Sequence, residues 1–185
     1  QTRLVEHLGD IHQWHAGFAR ERGQGRVAEL AAASDVLVSV VVNAAQTEDV
    51  LFGPGGCAAA MQPGNVFVMC STVDPNWSMA LEKRLTDLGL LYIDAPISGG
   101  AARAASGEMT MMTAGAPAAY AKADPVLNAM AAKVYKLGDT AGAGSKVKII
   151  NQLLAGVHIA AAAEAMALGL REGVNPAALY EVITH

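Results

Sequence analysis

Three short stretches of this 185-residue chain hold residue types that can do chemistry. The first is DAPISGG, residues 94–100, where the apolar run LLYI drives into an acid, a proline and then Ser98, Gly99 and Gly100. Two readings of that turn stand open on the residues alone. In one it is a tight strand-to-helix turn with Ser98 as the helix cap. In the other the bare glycines let a ligand reach backbone N–H groups. Ser98 then adds a hydroxyl, and the first amides of a helix from Ala101 complete an anion site. The second stretch, GAGSKVKIINQ, residues 142–152, puts Lys148 in the first turn or so of a helix starting near Gly144. Asn151 and Gln152 follow at i+3 and i+4 on its face. An ammonium there opposes the helix macrodipole, which lowers its pKa, and a lysine so tuned can exchange a proton with a hydroxyl near neutral pH. The plainer alternative makes Lys146 and Lys148 two solvated charges, and Lys146 is assigned to it. The third stretch, STVDP, residues 71–75, ends a strand and opens a helix. Ser71 or Thr72 either caps that helix or offers a hydroxyl to a ligand at the strand's carboxyl edge. Val42-Asn43-Ala44 holds the equivalent edge of another strand, as a plain Asn turn or as a ligand contact.

These positions need a scaffold that brings strand ends together. Apolar, β-branched runs at 36–42 (VLVSVVV) and 65–70 (NVFVMC) read as strands buried on both faces. Further strands are expected at 90–93, 109–113 and 133–137, with helices between them at about 44–52, 75–88, 100–106 and 117–131. Pro75 and Pro117 sit at first-turn positions. That alternation predicts an α/β fold, a partial doubly wound, mainly parallel sheet of Rossmann type. Ligands of such sheets bind beyond the carboxyl ends of the strands, where all three stretches lie. Near Gly142 the rhythm stops. A helix of 25 or more residues ends at Gly173, and another starts at Asn175-Pro176, predicting the beginning of an all-helical domain. The expected division is 1–142 and 143–185.

The remaining composition narrows the function classes. A net charge of −4 gives no basic footprint, so no nucleic-acid partner is expected. No run reaches about 18 uninterrupted apolar residues, and the opening QTRLVEHLGD is no secretory signal. Asn151, Gln152, His158 and Glu164 interrupt the most apolar helix, 149–170, which argues for burial in protein rather than in a membrane. Cys57 and Cys70 form no metal or disulfide pattern and fit a reducing cytoplasm as small packed residues. No metal site is assigned: His7, His12 and His15 lack zinc spacing, and His158 reads as a hydrogen-bonded core or interface residue. Gly23, Gly25 and Ala28 match G-x-G-x-x-[GA], but ARER precedes them where a buried strand is required, so the match reads as coincidence. The stretch before it, 4–23, is amphipathic enough for a helix.

Together the three stretches resemble the β-hydroxyacid dehydrogenase family, which contains 3-hydroxyisobutyrate dehydrogenase and tartronate semialdehyde reductase. Its substrate loop D-A-P-V-S-G-G is matched by 94–100, its G-x-G-x-x-x-K-x-x-N-N segment by 142–152, and its S-T-[IV]-x-P segment by 71–75. The likeness runs over roughly residues 34–185, and the segment 144–169 is most similar to the L-threonate dehydrogenase branch. The resemblance implies NAD(P)-dependent oxidation of a small sugar-derived hydroxy-acid. Lys148 would be the general acid/base. Ser98, Gly99, Gly100, Asn151 and Gln152 would bind substrate, while Val42, Asn43 and Thr72 would line NAD or NADP. Gln152 departs from the family's second Asn, and Val42-Asn43 from its Leu-Pro. The family's opening strand and Gly-rich loop, and most of its helical domain, find no counterpart in these residues. A fragment or truncated protein is therefore expected, binding dinucleotide weakly and inactive alone. At full length the resemblance implies a homo-oligomer, while the cysteines imply a cytoplasmic location. Two alternatives remain: a non-catalytic scaffold on the same fold, and a tartronate semialdehyde or 3-hydroxyisobutyrate-type reductase.

Overall fold

The computed structural model describes residues 24–184; the expected helix over 4–23 and the three early histidines lie outside them. Helix α1 (Gln24–Ala32) comes first and carries Gly25 and Ala28 inside it, so these residues do not form a strand-to-helix phosphate turn. Strands β1 (Val36–Ser39), β2 (Val66–Met69) and β3 (Leu91–Asp94) then pair in parallel, with Ser39 opposite Met69 and Met69 opposite Asp94. Helices α2 (Ala44–Phe52) and α3 (Pro75–Asp87) connect them. A two-residue strand β4 (Ile97–Ser98) and a short helix α4 (Gly100–Ala105) follow. Strand β5 (Thr110–Gly115), helix α5 (Pro117–Met130) and strand β6 (Lys133–Lys136) complete the sheet.

The sheet is mostly parallel but not uniformly so. β5 runs against β3 and β4, which share it in succession: Ile93 pairs with Gly115 and Ile97 with Met111. Between them the chain breaks step at Ala95-Pro96, since proline cannot donate to a ladder; the Pro96 carbonyl still accepts from Met112 N at 2.9 Å. β6 pairs in parallel with β5.

Side chains alternate across the sheet and build a core on each face. Phe67 and Met69 pack with Leu51, Leu81 and Leu85 from α2 and α3. Val66 and Val68 face the other way, onto Ala119, Ala123 and Leu127 of α5. This confirms the two-face burial expected of the β-branched runs.

β1 stops three residues earlier than its composition suggests. After Ser39 the backbone is taken by side chains: Ser71 Oγ donates to Val41 O at 2.8 Å, and Val42 N donates to Gln46 Oε1 at 2.8 Å. Val40 and Val42 are left 61% and 76% exposed. β-Branched residues at a strand end favour extension, but there is no ladder here for them to join.

Helix α6 (Ala143–Arg171) and helix α7 (Pro176–Thr184) end the described chain, with Gly173 at φ 76° between them and Asn175 Oδ1 accepting from Ala177 N and Ala178 N. Gly144, Ser145 and Lys148 at the start of α6 are buried, but beyond them Leu153, Ile159, Leu168 and Leu170 are all exposed, and so is His158. Beyond that start no element among the described residues other than α7 packs along it, so the burial in protein expected of this helix is not supplied by the described residues. By length and composition α6 would also suffice to cross a membrane, which the count of uninterrupted apolar residues did not reveal.

Candidate functional site

The carboxyl ends of β1, β2 and β3 lie side by side, so the loops that leave them are neighbours. Ser71, after β2, is 1% exposed and bonds to both Val41 O and the Thr47 hydroxyl (3.0 Å), which ties the loop after β2 to the loop after β1. Its hydroxyl is consumed by structure. The cap of α3 is neither Ser71 nor Thr72 but Asp74, whose Oδ1 accepts from Asn76 N at 2.8 Å and Trp77 N at 3.2 Å. A carboxylate is favoured there over a hydroxyl because it also complements the positive helix end. Thr72 is thereby left exposed with no capping task. Asn43 caps α2, its Oδ1 accepting from Gln46 N at 2.9 Å.

The DAPISGG turn resolves into a strand-and-glycine corner. Ser98 is half-buried in β4 and caps nothing; the cap position of α4 is Gly99, which has no side-chain bond to offer. Gly99 and Gly100 take φ 134° and 66°, a region that side chains rarely adopt. A Cβ on Gly99 would strike Arg103 Cβ at 2.8 Å, whereas one on Gly100 would meet nothing within 4 Å. The backbone at Gly100 therefore faces open space.

Opposite this corner stands the start of α6. Its two glycines serve different ends. Gly142 takes φ 100°, and a Cβ on Gly144 would overlap the Met112 carbonyl oxygen and sit 2.9 Å from Asp94 O. The helix is thus pressed directly onto the ends of β3 and β5. Asp94, fully buried, accepts from Gly142 N and Ser145 N at 2.9 Å each and from Ser145 Oγ at 2.7 Å. Glu82 of α3 receives Ala141 N at 3.1 Å on each oxygen.

Lys148, in the second turn, is only 7% exposed and takes part in none of the ion pairs among the described residues. Burial pushes its ammonium below the usual lysine pKa. The direction agrees with the expectation, and its cause is desolvation by burial. Lys146 is exposed, as assigned.

An open cavity of about 370 Å³ lies between α6 and the sheet, with Ser98 and Asn151 among its walls together with Thr110, Met112, Tyr135 and Val147. It joins one residue of the loop to one residue of the helix, the second a single turn beyond Lys148. Gln152 is exposed and does not line that cavity, and Val42, Asn43 and Thr72 stand at the neighbouring strand ends. Thr110, Tyr135 and above all Asp94 escaped the sequence reading. For Asp94 a signal existed: an acid closing a buried strand must find hydrogen-bond donors.

A family model described as the NAD binding domain of 6-phosphogluconate dehydrogenase matches residues 12–138, starting upstream of the motifs, and one described as NAD-binding of NADP-dependent 3-hydroxyisobutyrate dehydrogenase matches residues 142–185. L-threonate dehydrogenase of Cupriavidus necator is 68% identical over 158 residues, covering 85% of this chain and 53% of that protein. L-threonate dehydrogenase of Haemophilus influenzae is 48% identical over 151 residues, 82% of this chain and 50% of that protein. A crystal structure of 3-hydroxyisobutyrate dehydrogenase from Salmonella typhimurium superposes with a TM-score of 0.81 at 52% identity, covering 86% of this chain and 55% of that one. The chain spans about half the length of the curated relatives it matches.

Proposed function

Because the chain belongs to the family of NAD-binding domains described for 6-phosphogluconate dehydrogenase, we propose that it forms part of an NAD(P)-dependent dehydrogenase. The substrate of that enzyme is a small sugar-derived hydroxy-acid of the L-threonate type. The observation that carries the reading is Lys148: a lysine 7% exposed, outside every ion pair among the described residues and one turn before Asn151, which lines a cavity with Ser98 although Lys148 itself does not. A surface lysine has no reason to be desolvated there. A proton acceptor does, since burial favours the neutral amine that oxidation requires.

In the oxidation direction the substrate carboxylate rests on Ser98 Oγ and the backbone N–H groups of Gly99 and Gly100. Asn151, in the cavity wall, holds the chain of hydroxyls; Gln152, exposed outside that cavity, is not given that part. The neutral Lys148 amine takes the proton of the reacting hydroxyl as its carbon gives up a hydride, leaving a carbonyl and an ammonium; reduction runs the same transfers backwards. Bound NAD or NADP supplies the nicotinamide that accepts the hydride. The residues assigned to hold it suit the task. Val42 leaves an apolar side chain 76% exposed at a strand end, able to lie against a flat ring, and the Thr72 hydroxyl is not spent on a cap. Asn43, although its Oδ1 caps α2, keeps an amide to donate.

The substrate class is supported by the relatives named L-threonate dehydrogenase, 48–68% identical, against 32% for the mouse mitochondrial 3-hydroxyisobutyrate dehydrogenase. Neither the scaffold reading nor the 3-hydroxyisobutyrate-type reading is favoured. We place the domain boundary at 142/143 and the protein in the cytoplasm, where two free, buried cysteines are at ease. The apolar face of α6 is assigned to the remainder of the helical domain and to a second copy.

The test is an assay of the whole protein with L-threonate, 3-hydroxyisobutyrate and related hydroxy-acids against both nicotinamides. Reduction of a nicotinamide by L-threonate is expected. No turnover with any hydroxy-acid, or full turnover after Lys148→Ala, refutes the reading.

A further inference from the structure

Asp94 takes no part in binding or proton transfer in the reading above, yet it is the best-connected carboxylate among the described residues. Both of its oxygens are spent on one turn of α6, through Gly142 N, Ser145 N and Ser145 Oγ. Helix starts leave backbone N–H groups without partners, and normally a residue at the cap position serves them. Here the cap position holds Gly142, which has no side chain to give. The partner comes instead from a residue 48 positions earlier, at the end of a buried strand.

That strand leads through Ala95 and Pro96 directly into Ser98, Gly99 and Gly100, while Ser145 stands three residues before Lys148. One carboxylate is therefore attached to both halves of the site. Glu82 also holds the approach to α6, at Ala141 N, but from α3, which carries none of the site residues. Gly144 removes the last spacer between helix and strand, so the bonds from Asp94 act across direct backbone contact.

We propose that Asp94 is a positioning residue, which sets the turn of α6 carrying Lys148 in register with the loop carrying Ser98, Gly99 and Gly100. The proposal rests on the reading of Lys148 as the proton-exchanging group. It separates from simple capping by its consequence: loss of the anchor should free Lys148, not merely lower the melting temperature.

The experiment treats the folded chain with a small amine-acetylating reagent at limiting dose and follows Lys146 and Lys148 by peptide mass spectrometry. Exposed Lys146 is the internal standard. In the wild type, Lys148 should react about tenfold more slowly, because a buried side chain must wait for local opening. Asp94→Ala should bring the two rates to within about threefold of one another while leaving Lys146 unchanged. Asp94→Asn should keep most of the protection, since an amide can place its oxygen on the two backbone N–H groups and donate to Ser145 Oγ. Unchanged protection in Asp94→Ala overturns the proposal, and so does an Asn variant as open as the Ala variant, which would make charge rather than anchoring decisive. If Asp94→Ala does not fold, Ser145→Ala, lacking only the Oδ1 bond, should show partial exposure; full protection there overturns the proposal equally. This readout needs no turnover, so it stands apart from the fate of the dehydrogenase reading. In the whole protein, Asp94→Ala should lower kcat about 100-fold, the scale of a 1 Å misplacement, with KM little changed. A loss confined to KM would contradict it.

Discussion

Gly144→Ala is a substitution whose usual sign the structure reverses. Alanine in place of glycine inside a helix ordinarily stabilises by about 1 kcal/mol, through helix propensity and a less free unfolded chain. At Gly144 the new Cβ would fall within 3.0 Å of two backbone carbonyl oxygens, Met112 O and Asp94 O, and 3.3 Å from Asp94 Oδ2. Ordinary contact begins at 3.4 Å, so even the milder backbone clash, at 2.9 Å, asks for a shift of about 0.5 Å. Neither oxygen can swing aside, because one belongs to β5 and the other ends β3. Overpacking of this kind costs about 1–3 kcal/mol and occasionally more. The upper part of that range, less the helical gain, leaves a net loss of about 2 kcal/mol. For a domain of this size that lowers Tm by about 4–8 °C. Gly156→Ala, on the same helix with nothing within 4 Å of its Cβ, is the control and should raise Tm by about 2–4 °C. Thermal unfolding of both variants followed by circular dichroism decides the matter. A Gly144→Ala protein that melts at or above the wild type would refute the close helix–sheet contact on which the placement of Lys148 depends.

Four further outcomes are expected. Lys148→Met in the whole protein should lose about 10²–10⁴-fold in turnover with little change in KM, because proton transfer is made in the transition state, yet the variant should melt no lower, since a desolvated cation gives way to an apolar chain of similar length. With wild-type protein, oxidation needs the neutral amine, so turnover should rise with pH through the depressed Lys148 pKa and level off below the ordinary lysine range; the Met variant should lack that limb. Asp74→Ala should cost about 1 kcal/mol in denaturant unfolding, as loss of a helix cap does, whereas Thr72→Ala should leave stability unchanged. Burial pushes Cys57 up to about 11 and Cys70 to about 12, so neither should react with a thiol reagent near pH 8 until the chain unfolds, and prompt labelling of either would contradict the packing.

The sequence disclosed what depends on side-chain type repeated along the chain, and concealed what depends on contacts between distant segments. The unbroken apolar run VFVM was enough to foresee a strand with a core on each face, because side chains that point alternately to both faces are then all buried. The same composition misled at Val40–Val42, where three further valines looked like more strand. Only Ser71, thirty residues away, explains why the backbone of Val41 is bonded to a side chain instead. In DAPISGG the glycines were legible as a corner, but the opening acid was not: its partners lie 48 and 51 positions on, in a turn whose own residues look like an ordinary helix start. Once that bond is seen, the two motifs cease to be separate finds. The acid of the first motif holds the serine of the second, and Gly144 lets the two backbones touch. The spacing from Ser145 to Lys148 then sets how far past the contact the amine stands. The exposed length of α6 is of another kind. Beyond its buried start only α7 lies along it among the described residues, so Leu153, Ile159 and Leu168 mark a face composed to be covered by a neighbour.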